Sequence, residues 1–235
     1  MILQTAPTTA LVLSVPVDVH GNYVDWVTDC ALAGRGLQIV TLNSEMVMQA
    51  RRDPALAAAI AQADLVVPDG AGVVLYLRLR GIRVARCPGI DLAEVLCRRM
   101  VEAGKRVFWL GGRPGVLAKV RQHRFGDWPA EAIAGAYHGY FDEAGEAEIL
   151  TQLQRTQPAV VLVGLGSPRQ ELWIARHRAL CPGAVWIGVG GSFDVWSGEK
   201  TRAPQWMQQN HLEWLFRLYC EPWRWRRMLL LPQFL

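Results

Sequence analysis

The sequence has no cysteine pair, no long apolar run and none of the short motifs that announce the commonest enzyme chemistries. Its five cysteines, Cys30, Cys87, Cys97, Cys181 and Cys220, are odd in number, widely spaced and without a CxxC pair. That argues against a disulfide framework or a zinc site and points to reduced thiols, as in the cytosol. No apolar stretch approaches the ~20 residues that a membrane-spanning helix requires. The opening residues, MILQTAPTTALVLSVPV, lack a basic leader and carry a serine and a proline within the apolar run, so no signal peptide is expected. There is no DxD pair, no HExxH, no Walker A lysine loop and no GxSxG elbow, and the five histidines are scattered. Metal-assisted hydrolysis, NTP hydrolysis and serine hydrolysis all lose support.

The 235 residues suffice for one large core, and a chain that is 51% apolar and 20% charged is globular rather than disordered. The net charge of +4 is mild, and no nucleic-acid partner is expected. Its distribution is uneven. From Thr201 onward five arginines face only Glu213 and Glu221, and four of the ten tryptophans lie in the same stretch.

Strand-like and helix-like segments alternate along the chain. Residues 11–17 read as a first strand and 22–33 as a helix. LQIVTL (Leu37–Leu42) is a buried strand, and residues 46–63 form a helix that breaks near Asp53-Pro54, since proline disfavours helix in the residue before it. A strand at 65–67 ends in Pro68-Asp69-Gly70; helices follow at 73–79 and 90–103. A strand at 106–110 ends in Gly111-Gly112, with Pro114 opening the next helix. A weaker strand at 132–136, a helix at 143–155, a strand at 159–163, a helix at 169–179 and a last strand at 185–189 complete the series. The alternation predicts an α/β fold, a mostly parallel Rossmann-like sheet with helices on both faces. Residues 1–202 form this core and 203–235 a C-terminal appendage.

Open α/β sheets place ligands at the carboxyl ends of their strands, which draws attention to the polar residues from Thr41 through Asn43 and to Asp69. A carboxylate held between Pro and Gly at a strand end is either a general base or a turn aspartate. The stretch VVLVGLGSPRQELW (160–173) is the clearest strand–loop–helix unit. It breaks at Gly164 and Gly166, with Ser167 placed as an N-cap, Pro168 as the first helical residue and Glu171 within capping-box range. Such a helix start is a seat for a phosphate, or else an ordinary βα turn. In the tail, Leu212, Leu215, Phe216 and Tyr219 share a helical face, and Trp223 and Trp225 mix with Arg224, Arg226 and Arg227. Tryptophan beside arginine suits an anionic membrane surface or a phosphate ligand; the alternative is a terminal helix docked on the core or on another subunit.

The ordered blocks TLNSE, VVPDG, RCPGIDL, FWLGG, HGYF, VGLGSPRQE, GVGGSFDVWSGEKTRAP and LEWLFRL resemble the WecG/TagA/CpsF glycosyltransferases, family 26 of the glycosyltransferase classification. The resemblance runs from about Thr41 to Arg227. It implies an inverting, metal-independent enzyme without a cofactor, peripheral on the inner face of the cytoplasmic membrane. Such an enzyme moves a sugar from a UDP-sugar donor to a polyprenyl-diphospho-sugar acceptor in building teichoic-acid linkage units, common antigen or exopolysaccharide.

Carried onto matching positions, the resemblance makes Asp69 the catalytic base, which needs only an ordinary or lowered pKa to be ionised at neutral pH. Thr41, Asn43, Arg86 and Gln170 become pocket residues, and Arg217, Arg224 and Arg227 the guanidiniums that grip a phosphate. Asp194 is read as a uridine or ribose contact or as a buried structural carboxylate. The donor stays open among glucose, N-acetylmannosamine and its uronic acid. Off the membrane, the aromatic tail favours a homo-oligomer. The competing reading is a non-catalytic nucleotide-sugar or lipid-phosphate binding protein that regulates polysaccharide assembly.

Overall fold

The computed structural model describes residues 6–210, 212–222 and 234. The chain opens with an antiparallel hairpin, β1 (Thr8–Val12) and β2 (Val15–Val19). The single strand expected over 11–17 is therefore folded back on itself, through Leu13 and Ser14 at φ of 48° and 69°. Two-residue turns of this twist usually carry Asn-Gly or Asp-Gly, and Leu-Ser gives no such signal. Helix α1 (Tyr23–Leu32) starts at Asn22, whose Oδ1 accepts from the Asp25 N–H at 3.1 Å.

β3 (Leu37–Leu42) is buried throughout. Asn43 caps α2 (Ser44–Ala50), and the break anticipated near Asp53-Pro54 is present. Asp53 Oδ1 accepts from the Ala55 and Leu56 N–H groups at 3.0 and 3.1 Å and starts α3 (Pro54–Ala61). Pro54 is tolerated because a first-turn N–H has no intrahelical partner to lose. β4 (Leu65–Pro68) and α4 (Ala71–Leu79) flank Asp69, and an irregular connector leads to α5 (Gly89–Glu102). The series continues with β5 (Val107–Gly111), α6 (Val116–Arg124), β6 (Ile133–Tyr137) and α7 (Glu143–Thr156). β7 (Val160–Gly164), α8 (Arg169–His177), β8 (Val185–Gly188) and α9 (Ser192–Trp196) close it.

Two helix starts differ from expectation. Gly115, at φ 85°, precedes α6, so Pro114 is not its first residue. Pro168 rather than Ser167 caps α8, without a side-chain cap bond. With the cap one residue later than expected, the capping box does not form, and the Ser167 hydroxyl lies 3.4 Å from Gln49 Oε1.

Six strands make one parallel sheet in the order β4-β3-β8-β7-β5-β6. The two-residue period of each strand divides its side chains between two faces. Ile39, Leu65, Val67, Trp109, Leu162 and Ile187 pack with α1, α5, α6 and α9. Val40, Leu42 and Val66 pack with α2, α3, α4 and the hairpin, and Phe108, Val161 and Trp186 with α7 and α8. Helices thus cover both faces, which is why the strands read as unbroken apolar runs. Trp109 is fully buried, with ring centroids of Phe125, Trp128 and Phe193 at 5.4, 6.0 and 6.3 Å. Trp109→Ala is expected to cost about 3–5 kcal/mol, read as a lower urea midpoint; an unchanged midpoint would remove this cluster from the core's account.

Because all six strands run the same way, their carboxyl ends share one edge. After the sheet come α10 (Gln205–Gln209) and α11 (Glu213–Cys220). Phe234 is buried against Tyr76 of α4, ring centroids 5.6 Å apart. Among the described residues, no helix is long and apolar enough to cross a membrane.

Candidate active site

β3 and β4 pair through Thr41 with Val67 and Leu42 with Pro68, so the loops that follow leave the sheet side by side. The Asp69 and Gly70 N–H groups both donate to the Leu42 carbonyl, at 2.9 and 3.1 Å, which holds Asp69 next to Asn43. Arg86 Nε donates to the Asp69 carbonyl at 2.7 Å, and the Gly89 N–H donates to Asp69 Oδ1 at 3.2 Å. Gly89 has no room for a side chain: a Cβ there would lie 2.6 Å from Thr41 Cγ2. The loop that carries Asp69 is therefore fixed from β3, from the connector and from α5.

Burial pushes the Asp69 carboxyl above its ordinary value. Arg86, Arg217 and the Gly89 N–H pull it down by less, and Glu213 adds to the rise. The sequence called only for an ordinary or lowered pKa; the structure raises it because burial outweighs two guanidiniums. The adjacent Cys87 thiol is pushed up to about 12 by burial and by Asp69 and Asp91, so it stands beside the carboxylate as a neutral group.

The second guanidinium nitrogen of Arg86, Nη2, pairs with Glu213 Oε2 at the start of α11. Glu213 Oε1 accepts from Arg202 Nε at 3.2 Å, and Arg202 forks onto Asp91 at 2.5 and 2.8 Å. Arg217, one turn along α11, is exposed and close enough to act on Asp69. Arg224 and Arg227 lie outside the described residues.

The remaining pocket residues have their polar atoms largely engaged. Thr41 is buried and its Oγ1 donates to the Gly188 carbonyl at 3.2 Å, tying β3 to β8. Asn43 Oδ1 accepts from the Met46 N–H at 3.0 Å as the cap of α2. Gln170 is buried; its Oε1 accepts from the Gly190 N–H at 3.0 Å and its Nε2 donates to Glu171 Oε1 at 2.7 Å. It clamps the glycine loop that follows β8. Glu171 is buried as well, and burial raises its carboxyl.

At the end of β7, Gly164 lies back to back with Gly111 of β5, where a Cβ on Gly111 would sit 2.4 Å from the Gly164 carbonyl oxygen. Gly166 follows at φ 76°, and Ser167 is exposed. Asp194 on α9 pairs with Lys200 at 3.2 Å, and Lys200 also reaches Glu221 at 2.9 Å. Asp69, Arg86 and Arg217 thus form one cluster, with Thr41 and Asn43 at the adjoining strand end. Gly164, Gly166 and Ser167 belong to the loop after β7, and Asp194 to α9. The ion pairs of Glu213, Arg202 and Asp91 were not legible in the sequence; their one trace is Glu213 standing as a rare acid in a basic tail. Among the described residues no group of three or more His, Cys, Asp or Glu is placed to hold a metal ion.

The sequence model of the Glycosyl transferase WecG/TagA/CpsF family matches residues 10–235. The chain belongs to this family. It is also similar to two N-acetylglucosaminyldiphosphoundecaprenol N-acetyl-beta-D-mannosaminyltransferases. One, from Bacillus spizizenii (strain ATCC 23059 / NRRL B-14472 / W23), is 39% identical over 201 residues, covering 85% of this chain and 77% of the relative. The other, from Bacillus subtilis (strain 168), is 38% identical over 200 residues, with the same coverage of 85% and 77%. The family resemblance noted from the sequence blocks is therefore established, and with it the glycosyltransferase class.

Proposed function

We propose that this glycosyltransferase moves a sugar, with inversion and without a metal, from a UDP-sugar to the hydroxyl of a polyprenyl-diphospho-linked sugar. The setting is the inner face of the cytoplasmic membrane and the product a precursor of a cell-surface polysaccharide. The observation that carries the reading is the Asp69 carboxylate, fixed by three elements at the sheet's carboxyl edge and flanked by Arg86 and Arg217. The names of the two Bacillus relatives support the acceptor class, since both are named for transfer onto a sugar diphosphoundecaprenol.

Asp69 takes the proton of the acceptor hydroxyl as that oxygen bonds to the anomeric carbon. The bond from that carbon to the donor phosphate breaks, and its electron pair leaves with UDP. A base with a raised pKa suits this step, because it holds the proton it takes more firmly. Arg86 and Arg217 offset charge on the departing diphosphate, joined by Arg224 and Arg227 of the tail. Thr41 and Asn43 face the sugar, and Gln170 keeps the adjoining glycine loop in place. Gly164, Gly166 and Ser167, before the N–H groups of α8, seat a phosphate, and Asp194 reaches the ribose. Exposed Trp206, Trp214, Leu215 and Tyr219 supply a lipid-facing surface that self-associates off the membrane.

The test offers the full chain a panel of UDP-sugars with a short-chain polyprenyl-diphospho-N-acetylglucosamine. The expected product is the acceptor heavier by one sugar residue, with the anomeric configuration inverted by NMR. A retained configuration would contradict the single displacement.

A further inference from the structure

Glu213 stands in the first turn of α11, and its carboxylate joins two guanidiniums that come from different parts of the chain. Arg86 belongs to the connector and holds the Asp69 carbonyl; Arg202 forks onto Asp91 in the first turn of α5. One continuous run, Asp91–Arg202–Glu213–Arg86–Asp69, thus links α5, α11 and the loop after β4. The side chains of Arg86, Glu213 and Arg202 are only 14%, 20% and 26% exposed, unlike surface pairs that water screens to near zero. No residue of α11 is fully buried, and these ion pairs, with Lys200–Glu221 at its far end, fasten it to the core. Arg217 lies four residues after Glu213, on the same helical face, and is the positive charge α11 presents to Asp69.

We propose that Glu213 is a positioning residue: by bracing Arg86 and Arg202 it seats α11 on the core and aims both Arg86 and Arg217 at the Asp69 pocket. This deepens the proposed transferase reading and rests on it. Glu213 does not act merely as a charge near Asp69. The groups that face Asp69 are Arg86 and Cys87 from the connector, the Gly89 N–H from α5, and Glu213 and Arg217 from α11. Of these, Glu213 by its own charge raises the carboxyl, whereas the guanidiniums it positions lower it more strongly. The two roles therefore give opposite signs on removal.

The experiment compares full-length wild type with Glu213→Ala and Glu213→Asp, by acceptor-dependent turnover across pH and by hydrogen exchange. Glu213→Ala is expected to lower kcat by about 10- to 100-fold, the scale set by misplaced groups, with a smaller change in donor KM. Its acid limb moves to higher pH, residues 213–220 exchange faster, and the sheet strands stay protected. Glu213→Asp recovers part of both effects, and adding Arg202→Ala to Glu213→Ala costs little more. An acid limb that moves to lower pH with α11 still protected would overturn the proposal, leaving Glu213 as a charge alone. Should the alanine variant lose strand protection, Glu213→Gln, of the same shape, is read by the same criteria. A wild type that is inactive on every donor sinks the transferase reading instead; the brace is then judged by exchange, where unchanged protection of α11 overturns it.

Discussion

Replacing Asp69 with asparagine is expected to lower acceptor-dependent turnover by about 10²- to 10⁴-fold, the usual contribution of a general base. The fold should survive, because the loop is held mainly by main-chain bonds to Leu42 and by Arg86 on the Asp69 carbonyl, which an amide keeps. Stability should even rise. Burial lifts the folded pKa of Asp69 above its unfolded value, so the ionised carboxylate is less favourable in the folded chain. Wild type therefore loses stability as pH climbs from the unfolded pKa, about 3.9, through the folded one. Asparagine carries no such penalty. Thermal melts should show the variant at least as stable as wild type at pH 7, with the gap closing as pH falls toward 4. Full turnover in Asp69→Asn would end the assignment of the base, and a gap that widens at low pH would contradict the burial argument.

Arg86→Ala is expected to act on the same carboxylate from the other side. After burial, Arg86 is the strongest influence on Asp69, and it acts downward. Its removal moves the acid limb of the pH–rate profile to higher pH. It also frees the Asp69 carbonyl and leaves Glu213 with Arg202 alone, so a stability loss of about 1–3 kcal/mol is expected for charged hydrogen bonds of this burial. With a positioned cation lost beside the leaving diphosphate, kcat should fall by about 10²- to 10³-fold. Arg86→Lys keeps the charge but loses the fork that serves Asp69 and Glu213 at once, so it restores only part of the activity. An acid limb that stays in place in Arg86→Ala would break the link between this guanidinium and the base.

How far the sequence carried these expectations depends on how local each feature is. The strands of the parallel sheet were legible because cover on both faces demands continuous apolar runs, as in Val160–Gly164, and glycine or polar residues end them at the ligand edge. The Asp53-Pro54 break was legible because proline restricts the residue before it. The β1–β2 hairpin was not, since Leu13 and Ser14 take left-handed conformations that their side chains do not advertise. Ser167 had the chemistry of a cap, but Pro168 takes that position, and the serine hydroxyl reaches Gln49, 118 residues earlier. Asp69 was placed by the Pro-Asp-Gly pattern at a strand end, yet the direction of its pKa came from the burial of its pocket. The brace is the extreme case: Arg86 and Glu213 are 127 residues apart and meet only because the connector and α11 converge on one loop.

The most direct test of the central claim is UDP release by the purified chain in EDTA, with each UDP-sugar, with and without a short-chain polyprenyl-diphospho-sugar. The account predicts release from one donor that depends on the acceptor and persists in EDTA. Release that requires an added divalent metal would contradict the metal-free displacement. Folded protein that binds UDP but releases none with any donor and acceptor would contradict transfer itself and leave a nucleotide-sugar binding protein in its place.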